Sequence, residues 1–354
     1  MTTSEEKHDT SQSVVCEALT RSRRWLFGLA IALLSMFLGL LLCEVGVRLF
    51  VTVRNVGPSF SVYDPESLKT LKRSFTCRRI TPEFTMRFST NSLGVRGPEP
   101  KAFPDSAILF LGDSFTMGYG VNDGEEYPAL IRAALDKLIG VGRVPVVNAG
   151  IGDVGLGRWV KFLQDEAERF TPRVIVIQVS ANDIADDLRE GLYSVGSAGN
   201  LVASARLPDR NWKRSMQSII EAVPGLPYSH LVSFSREVRF DGRSKLRQSP
   251  HPHAKARSSD SFGVLTNLIL TRMLELCRSS EWPVLGILAD DDKHLLSQVR
   301  GVFDGAGVSY VMAPRKDERP ELYYHVDGHW TSEGHERVAE LVLPLILQVA
   351  DLSE

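Results

Sequence analysis

Cysteine is scarce in this chain: its 354 residues hold four, Cys16, Cys43, Cys77 and Cys277. Four dispersed cysteines are too few for a disulfide-stapled scaffold and lack the paired spacing of a zinc site, so no metal, redox or cofactor motif follows from them. Spacing alone leaves open whether Cys77 pairs with Cys277. Charge excess is missing as well. With a formal net charge of -2 the chain has no global pull toward nucleic acid, and a polyanionic partner would have to be met by a local patch. Residues 1–20 are polar without apolar periodicity and read as an unstructured tail.

One long apolar run is present. From Trp25 to Cys43 no charged residue occurs, and at about 1.5 Å per helical residue the run is long enough to cross the hydrocarbon of a bilayer. Arg21, Arg23 and Arg24 precede it, which places residues 1–24 in the cytoplasm and the rest of the chain outside; Arg48 and Arg54 on the far side pull the other way. The run is long for a cleaved signal peptide and no small-x-small site follows it, so an uncleaved signal-anchor is expected. Glu44 reads as the return to water. Residues 44–105, interrupted by six prolines from Pro58 to Pro104, are expected to be a linker with short strands packing on the domain, Phe84, Met86 and Phe88 sharing one face. Within it Asn91–Gly97 reads as a turn, with Arg96 as a solvated loop charge.

From residue 106 strand and helix alternate. Apolar runs ending at Leu111, Val147, Val179, Leu288 and Met312 read as five strands, the first buried on both faces and the second also buried, and helical spacing recurs over Tyr127–Leu138, around Trp159 and Phe162, over Phe262–Cys277, Lys293–Phe303 and from Ser332 to Val349. That alternation implies right-handed crossovers and a parallel sheet sandwiched between helices, a three-layer α/β/α domain over 106–354. Residues 184–260 break the rhythm. Between Arg206 and Arg257 there are eleven Lys or Arg against four Asp or Glu, which reads as a solvated, partly disordered insertion or as a basic lid attracting anionic lipid headgroups or an acidic glycan. His251 and His253, between prolines, lack a third metal ligand.

The strands end in chemistry. The first terminates in Gly112-Asp113-Ser114, the second in Asn148 to Asp153, the third in Ser180-Ala181-Asn182-Asp183, and His325-Val326-Asp327-Gly328-His329-Trp330 precedes the last helix. Asp113 or Ser114 could merely cap the following helix. Acyl transfer instead needs a hydroxyl, a base, a group that orients the base, and donors aimed at the oxyanion. Ser114 supplies the nucleophile, His329 the base and Asp327 its partner, reached if the backbone between them is extended. The backbone N–H groups of Ser114 and Gly152 and the Asn182 amide supply the oxyanion hole.

These blocks, in this order over roughly residues 107–350, resemble the SGNH (GDSL-type) hydrolases. The resemblance implies a flavodoxin-like five-stranded parallel sheet of order 2-1-3-4-5, the catalytic roles named above, and esterase, lipase, thioesterase or carbohydrate O-acyl activity. Two departures stand out. Only Gly328 lies between Asp327 and His329 where the family usually has two residues. The second block is one residue short, so that Gly150 and Gly155 compete with Gly152 as oxyanion donor. Membrane-anchored relatives that acetylate envelope polysaccharides tolerate the shorter Asp-x-His-Trp pattern. The expected activity is therefore hydrolysis of an acyl or acetyl ester, on an acylated glycan or lipid, with no nucleic acid partner. The alternatives are an O-acetyltransferase using the same triad, a non-catalytic carbohydrate-binding domain, and a metallohydrolase on His325, His329 and His335.

Overall fold

The computed structural model describes residues 5–100, 104–205, 207, 209, 211–247, 255–289 and 293–352, and for 5–22, 213, 239–247, 255–262 and 293–296 the backbone alone. Ten helices lie among these residues: α1 (Glu5–Phe50), α2 (Ser114–Met117), α3 (Tyr127–Leu138), α4 (Leu156–Asp165), α5 (Asn182–Glu190), α6 (Asn211–Ala222), α7 (His230–Arg247), α8 (Lys255–Ser279), α9 (Lys293–Ala306) and α10 (Ser332–Val349).

Five strands form the central sheet: β1 (Ile108–Leu111), β2 (Val146–Asn148), β3 (Val174–Val179), β4 (Val284–Leu288) and β5 (Ser309–Met312). All their pairings are parallel, in the order β2-β1-β3-β4-β5. Strand side chains alternate between two cores, as the period of two requires. Leu109, Leu111, Ile175 and Ile177 meet α4, α8 and α9 on one face, while Ile108, Phe110, Val174 and Val176 meet α3 and α10 on the other. The sandwich and its strand order are those expected. All six residues of β3 are buried. One of them, Gln178, is polar; its Oε1 accepts the Asp113 N–H at 3.1 Å and the Thr116 hydroxyl at 2.9 Å, tying the central strand to the loop after β1.

Residues 51–100 hold short strands and pack on the domain. They wrap the sheet edge, with two antiparallel pairs, Ser61–Val62 against Thr70–Leu71 and Thr76–Ile80 against Thr85–Ser89, and send Phe60, Leu71, Cys77, Met86 and Phe88 into the first core. Met86 and Phe88 are fully buried, on the face that alternation assigned them. Cys43, Cys77 and Cys277 are free thiols, and burial pushes Cys77 up to about 11 and Cys277 to about 12.

The N-terminal segment differs from its expectation. Helix α1 begins at Glu5, so the polar residues read as an unstructured tail continue the helix of the apolar run. They contain no Gly or Pro, and a helix already nucleated propagates cheaply. Its stretch Arg23–Phe50 is the one segment among the described residues long and apolar enough to cross a membrane, and Trp25, Leu29, Leu33, Phe37 and Leu41 on it are exposed. Glu44 does more than mark an interface. Its carboxylate accepts the His230 and Leu231 N–H groups at 3.0 and 2.9 Å and the Ser229 hydroxyl at 2.6 Å, capping α7. Val47, Val53 and Val56 then pack with Tyr228, Leu231 and Phe234. Much of the insertion is consequently ordered into α6, α7 and a hairpin, Tyr193–Val195 with Leu201–Ala203, rather than solvated coil. His251 and His253 lie outside the described residues.

Candidate active site

Strand β1 stops at Leu111 and the chain turns at once into the one-turn helix α2, whose N-cap is Asp113. The turn is tight because a side chain at Gly112 would strike Thr116 Oγ1 at 2.3 Å and Gln178 Oε1 at 2.4 Å. Asp113 does cap the helix, accepting the Phe115 N–H at 2.9 Å, and this leaves the next residue, Ser114, free to face the crevice at the strand ends. Beneath it the buried Asp113 Oδ2 accepts from Ser180 Oγ at 2.7 Å and from Asn182 Nδ2 at 2.8 Å.

Ser114 Oγ lies 2.7 Å from His329 Nε2, and His329 Nδ1 lies 2.5 Å from Asp327 Oδ1. The shortened spacing succeeds through a turn, not through the extended backbone expected. Gly328 sits at φ +85°, a left-handed conformation costly for other residues, and the turn is closed by Gly328 N–H to Tyr324 O at 3.1 Å and Tyr324 N–H to His329 O at 2.8 Å. The Glu83 carboxylate, from the wrap, accepts the N–H of Val326 at 3.0 Å and of Asp327 at 2.7 Å. Burial opposes ionisation of Glu83 slightly, and these N–H bonds outweigh it, lowering its pKa.

Three glycines of the second block part ways. A side chain at Gly150 would hit the Met117 backbone at 2.3 Å and one at Gly155 the Asp187 carboxylate at 2.3 Å, so both serve close packing. Gly152 instead faces Ser114, whose Cβ would lie 3.4 Å from an added methyl, and it lines the cavity. Among the described residues neither the Ser114 nor the Gly152 backbone N–H donates a hydrogen bond, as expected of donors awaiting a ligand at a helix start and an open loop. Asn182 is placed differently: its amide donates to Asp113 and, at 3.4 Å, to Asp186, and it does not line the cavity.

The cavity itself measures about 320 Å³. Ser114, His329, Asp327, Tyr119 and Gly152 form its floor, and Asn55, Ser59, Phe60, Lys69, Leu71 and Arg79 of the wrap form its walls. Lys69 Nζ donates to the Gly152 carbonyl and pairs with Asp153 at 3.3 Å, pinning the second block. Arg96 is no solvated loop charge. Fully buried, it donates to the carbonyls of Met117 at 2.9 Å, Gly118 at 2.6 Å and Val121 at 2.8 Å, and it pairs with Asp123 at 3.3 Å and Glu126 at 3.7 Å. Gly118, at φ +79°, leaves room for that guanidinium, which a side chain there would meet at 2.5 Å.

A patch of buried acids backs the site. On α5, Asp187 Oδ1 accepts the Gly157 N–H at 2.7 Å and Glu190 Oε2 the Gly155 N–H at 3.2 Å, so this helix caps α4. Burial raises Asp186 to about 6, Glu190 to about 7 and Asp187 to about 8. The three histidines of the metal reading do not converge. His335 is buried with Tyr127 and Trp330, its Nδ1 accepting the Tyr127 N–H at 3.3 Å and its pKa pulled down to about 3 by burial, whereas His325 is exposed. Among the described residues no group of three or more His, Cys, Asp or Glu is placed to hold a metal ion.

Comparison with known proteins adds the following. The family model described as GDSL-like lipase/acylhydrolase matches residues 110–337, more than half of the chain. No curated protein matches the chain by sequence. Among solved structures it is similar to the psychrotrophic esterase EstA from Pseudoalteromonas sp., at 12% identity and TM-score 0.40 over 70% of this chain and 97% of that one. It is also similar to AlinE4, an SGNH-hydrolase family esterase (15% identity, TM-score 0.37, 70% of this chain and 98% of that one). A third similar structure is a two-domain esterase active on acetylated mannans (13%, 0.39, 71% and 51%).

Proposed function

Because the chain belongs to the GDSL-like lipase/acylhydrolase family and is on that account a carboxylic-ester hydrolase, we propose that it cleaves its ester through an acyl-enzyme on Ser114. The observation that carries this reading is the unbroken contact from Asp327 through His329 to Ser114, all three lining one cavity. His329 Nε2 takes the hydroxyl proton as Ser114 Oγ bonds to the acyl carbon; the C–O bond to the alcohol then breaks and His329 returns the proton to the leaving oxygen. Water, deprotonated by the same nitrogen, releases the acid and restores Ser114. Asp327 holds the imidazole tautomer and offsets its charge while it is protonated. The oxyanion is received by the N–H groups of Ser114 and Gly152, joined by the Asn182 amide once it gives up its 3.4 Å contact with Asp186.

Fluorophosphonate labelling with peptide mapping tests the nucleophile: modification at Ser114 is expected, and modification at another serine overturns the assignment. Asn182→Ala is expected to lower kcat by roughly 10²–10³, the usual loss for one oxyanion donor; unchanged turnover would confine Asn182 to bracing Asp113.

The setting belongs to the same proposal. The Trp25–Cys43 stretch of helix α1 is a single membrane span with residues 1–24 cytoplasmic and the ester-cleaving domain, 106–354 with the wrap, on the outer side. The exposed apolar side chains of α1, and the exposed Trp212, Met216 and Ile219 along one stripe of α6, support a domain held at a lipid surface. A reporter joined after Glu354 that is active only in the cytoplasm would overturn this orientation.

A further inference from the structure

Two guanidinium groups share one carbonyl beside the cavity, and neither forms an ion pair among the described residues. Arg79 lines the cavity onto which Ser114 and His329 open. Its Nη2 donates to the Pro58 carbonyl at 2.7 Å and its Nη1 to the Gly57 carbonyl at 3.3 Å, with the guanidinium 4.4 Å from the centre of the Phe60 ring. Arg236 of α7 donates to that same Gly57 carbonyl at 3.2 Å. The nearby carboxylates are committed elsewhere: Glu221 pairs with Lys72 at 2.6 Å, and Glu237 accepts the Asn55 N–H at 2.9 Å. Lys69, Lys72 and Arg96 in the same region each have a carboxylate of their own. Arg79 Nε, in addition, is buried with no hydrogen-bond partner.

Two like charges drawn to one carbonyl and away from water oppose each other, and a charge withdrawn from water is costly until an opposite charge joins it. Burial lowers the pKa of both groups, and for Arg236 the facing Arg79 adds to the effect. Asp153 and Glu221 favour the two charges from a distance but are themselves paired with Lys69 and Lys72, whereas an anion entering the cavity would supply a direct partner. The Arg79 guanidinium is a planar fork suited to the oxygens of an anionic group, and the neutral Gly57 and Pro58 carbonyls it meets leave its charge uncompensated.

We propose that Arg79, with Arg236 behind it, forms an anion subsite of the cavity, and that the preferred substrate is an ester carrying a carboxylate or phosphate on the portion held by the wrap. This rests on the ester-hydrolase reading above. Carboxylate and phosphate present the same oxygens to the fork, and sources as different as an acidic sugar and a phosphorylated alcohol would satisfy it.

The test uses the full chain in detergent and three acetyl esters: neutral methyl 4-acetoxybenzoate, 4-acetoxybenzoate as the carboxylate arm, and 4-acetoxyphenyl phosphate as the phosphate arm. The wild type is expected to favour at least one anionic ester over the neutral one in kcat/KM, and the better arm identifies the source. Arg79→Gln is expected to lower kcat/KM for that ester by roughly 10- to 100-fold, the range for a charged hydrogen bond, mainly through KM, and by clearly more than it lowers kcat/KM for the neutral ester. Arg236→Gln should lower it by a few-fold. Equal losses on neutral and anionic esters would make Arg79 a clamp on Gly57 and Pro58 and overturn the subsite. So would a wild type without anionic preference, a measurement that needs no variant to fold. Turnover of the neutral ester separates the two readings: if the wild type cleaves it with no anionic preference, the subsite alone fails, and if it cleaves none of the three, the ester-hydrolase reading fails and the subsite with it.

Discussion

The parallel sheet and the wrap of residues 51–100 reach the same cavity by different means. The sheet delivers Ser114 at a strand end, where a regular element stops and the chain turns toward the crevice. The wrap has little regular structure. It delivers single charged side chains across long stretches of chain: Arg96 to the loop after α2, Glu83 to the loop before α10, Lys69 to the second block, Arg79 to the wall. One region therefore supplies chemistry that depends on periodicity, and the other supplies placement and shape that depend on buried charge. A reaction can be read from the first, while the fit of a substrate resides in the second.

Substitutions on the two sides should separate these contributions. The largest effect belongs to the sheet side, where Ser114→Ala is expected to lower turnover by roughly 10⁴- to 10⁶-fold with an unchanged melting temperature; residual activity within tenfold of wild type would break the comparison at once. Arg96→Met, on the wrap side, is expected to do the reverse. It leaves the buried Glu126 and three carbonyls without their cation, a change that costs about 3–5 kcal/mol in urea unfolding, while the folded fraction still labels at Ser114. A smaller effect is expected from Glu83→Gln, since a neutral amide oxygen is a weaker acceptor for the Val326 and Asp327 N–H groups. Here kcat should fall by roughly tenfold with KM kept, because only the partner of His329 is loosened; a fall in KM-limited turnover alone would assign Glu83 to substrate binding.

The smallest effect concerns the acids of α5, which belong to neither side's chemistry. Asp186, Glu190 and Asp187, raised to about 6, 7 and 8, keep protons that an unfolded chain gives up near pH 4. The folded state then binds more protons than the unfolded one, so their contribution is fully present below about pH 4 and is lost as pH climbs through 8. Melting curves between pH 5 and 9 should show a falling midpoint, and Asp187→Asn should flatten the fall, with a gain of about 5 °C at the alkaline end. An unchanged slope would show that Asp187 is ionised in the folded protein.

Legibility in the sequence followed the same divide. The strand ends, the helix boundaries at Tyr127–Leu138 and Ser332–Val349, and the convergence of Ser114 with His329 could be read because each follows from a period or a break in one. The partnership of Asp327 was legible in kind but not in geometry, since it depends on the left-handed turn at Gly328. Arg96 was misread because its partners, Met117 to Glu126, lie 21 to 30 residues away with no pattern linking them. Glu83 and Asp327 are 244 residues apart, and Glu44 and Leu231 are 187. Gln178, a polar residue inside an apolar strand, was the one missed position with a visible signal, since a fully buried amide needs partners.

Under the membrane setting proposed above, the join between α1 and the cavity would set how this protein meets its substrate. Helix α1 ends at Phe50 and Asn55 already stands in the cavity wall, with the Glu44 cap fastening the same joint to α7. Five residue steps span no more than about 18 Å, and a capped joint cannot swing as a loose cord would. With α1 seated in a bilayer, the search for substrate becomes two-dimensional: an ester is found by lateral drift along the surface, and the quantity that governs turnover is its density per unit of membrane area. A polymer passing overhead would be trimmed only along the stretch lying against that surface, leaving the acyl groups farther out untouched.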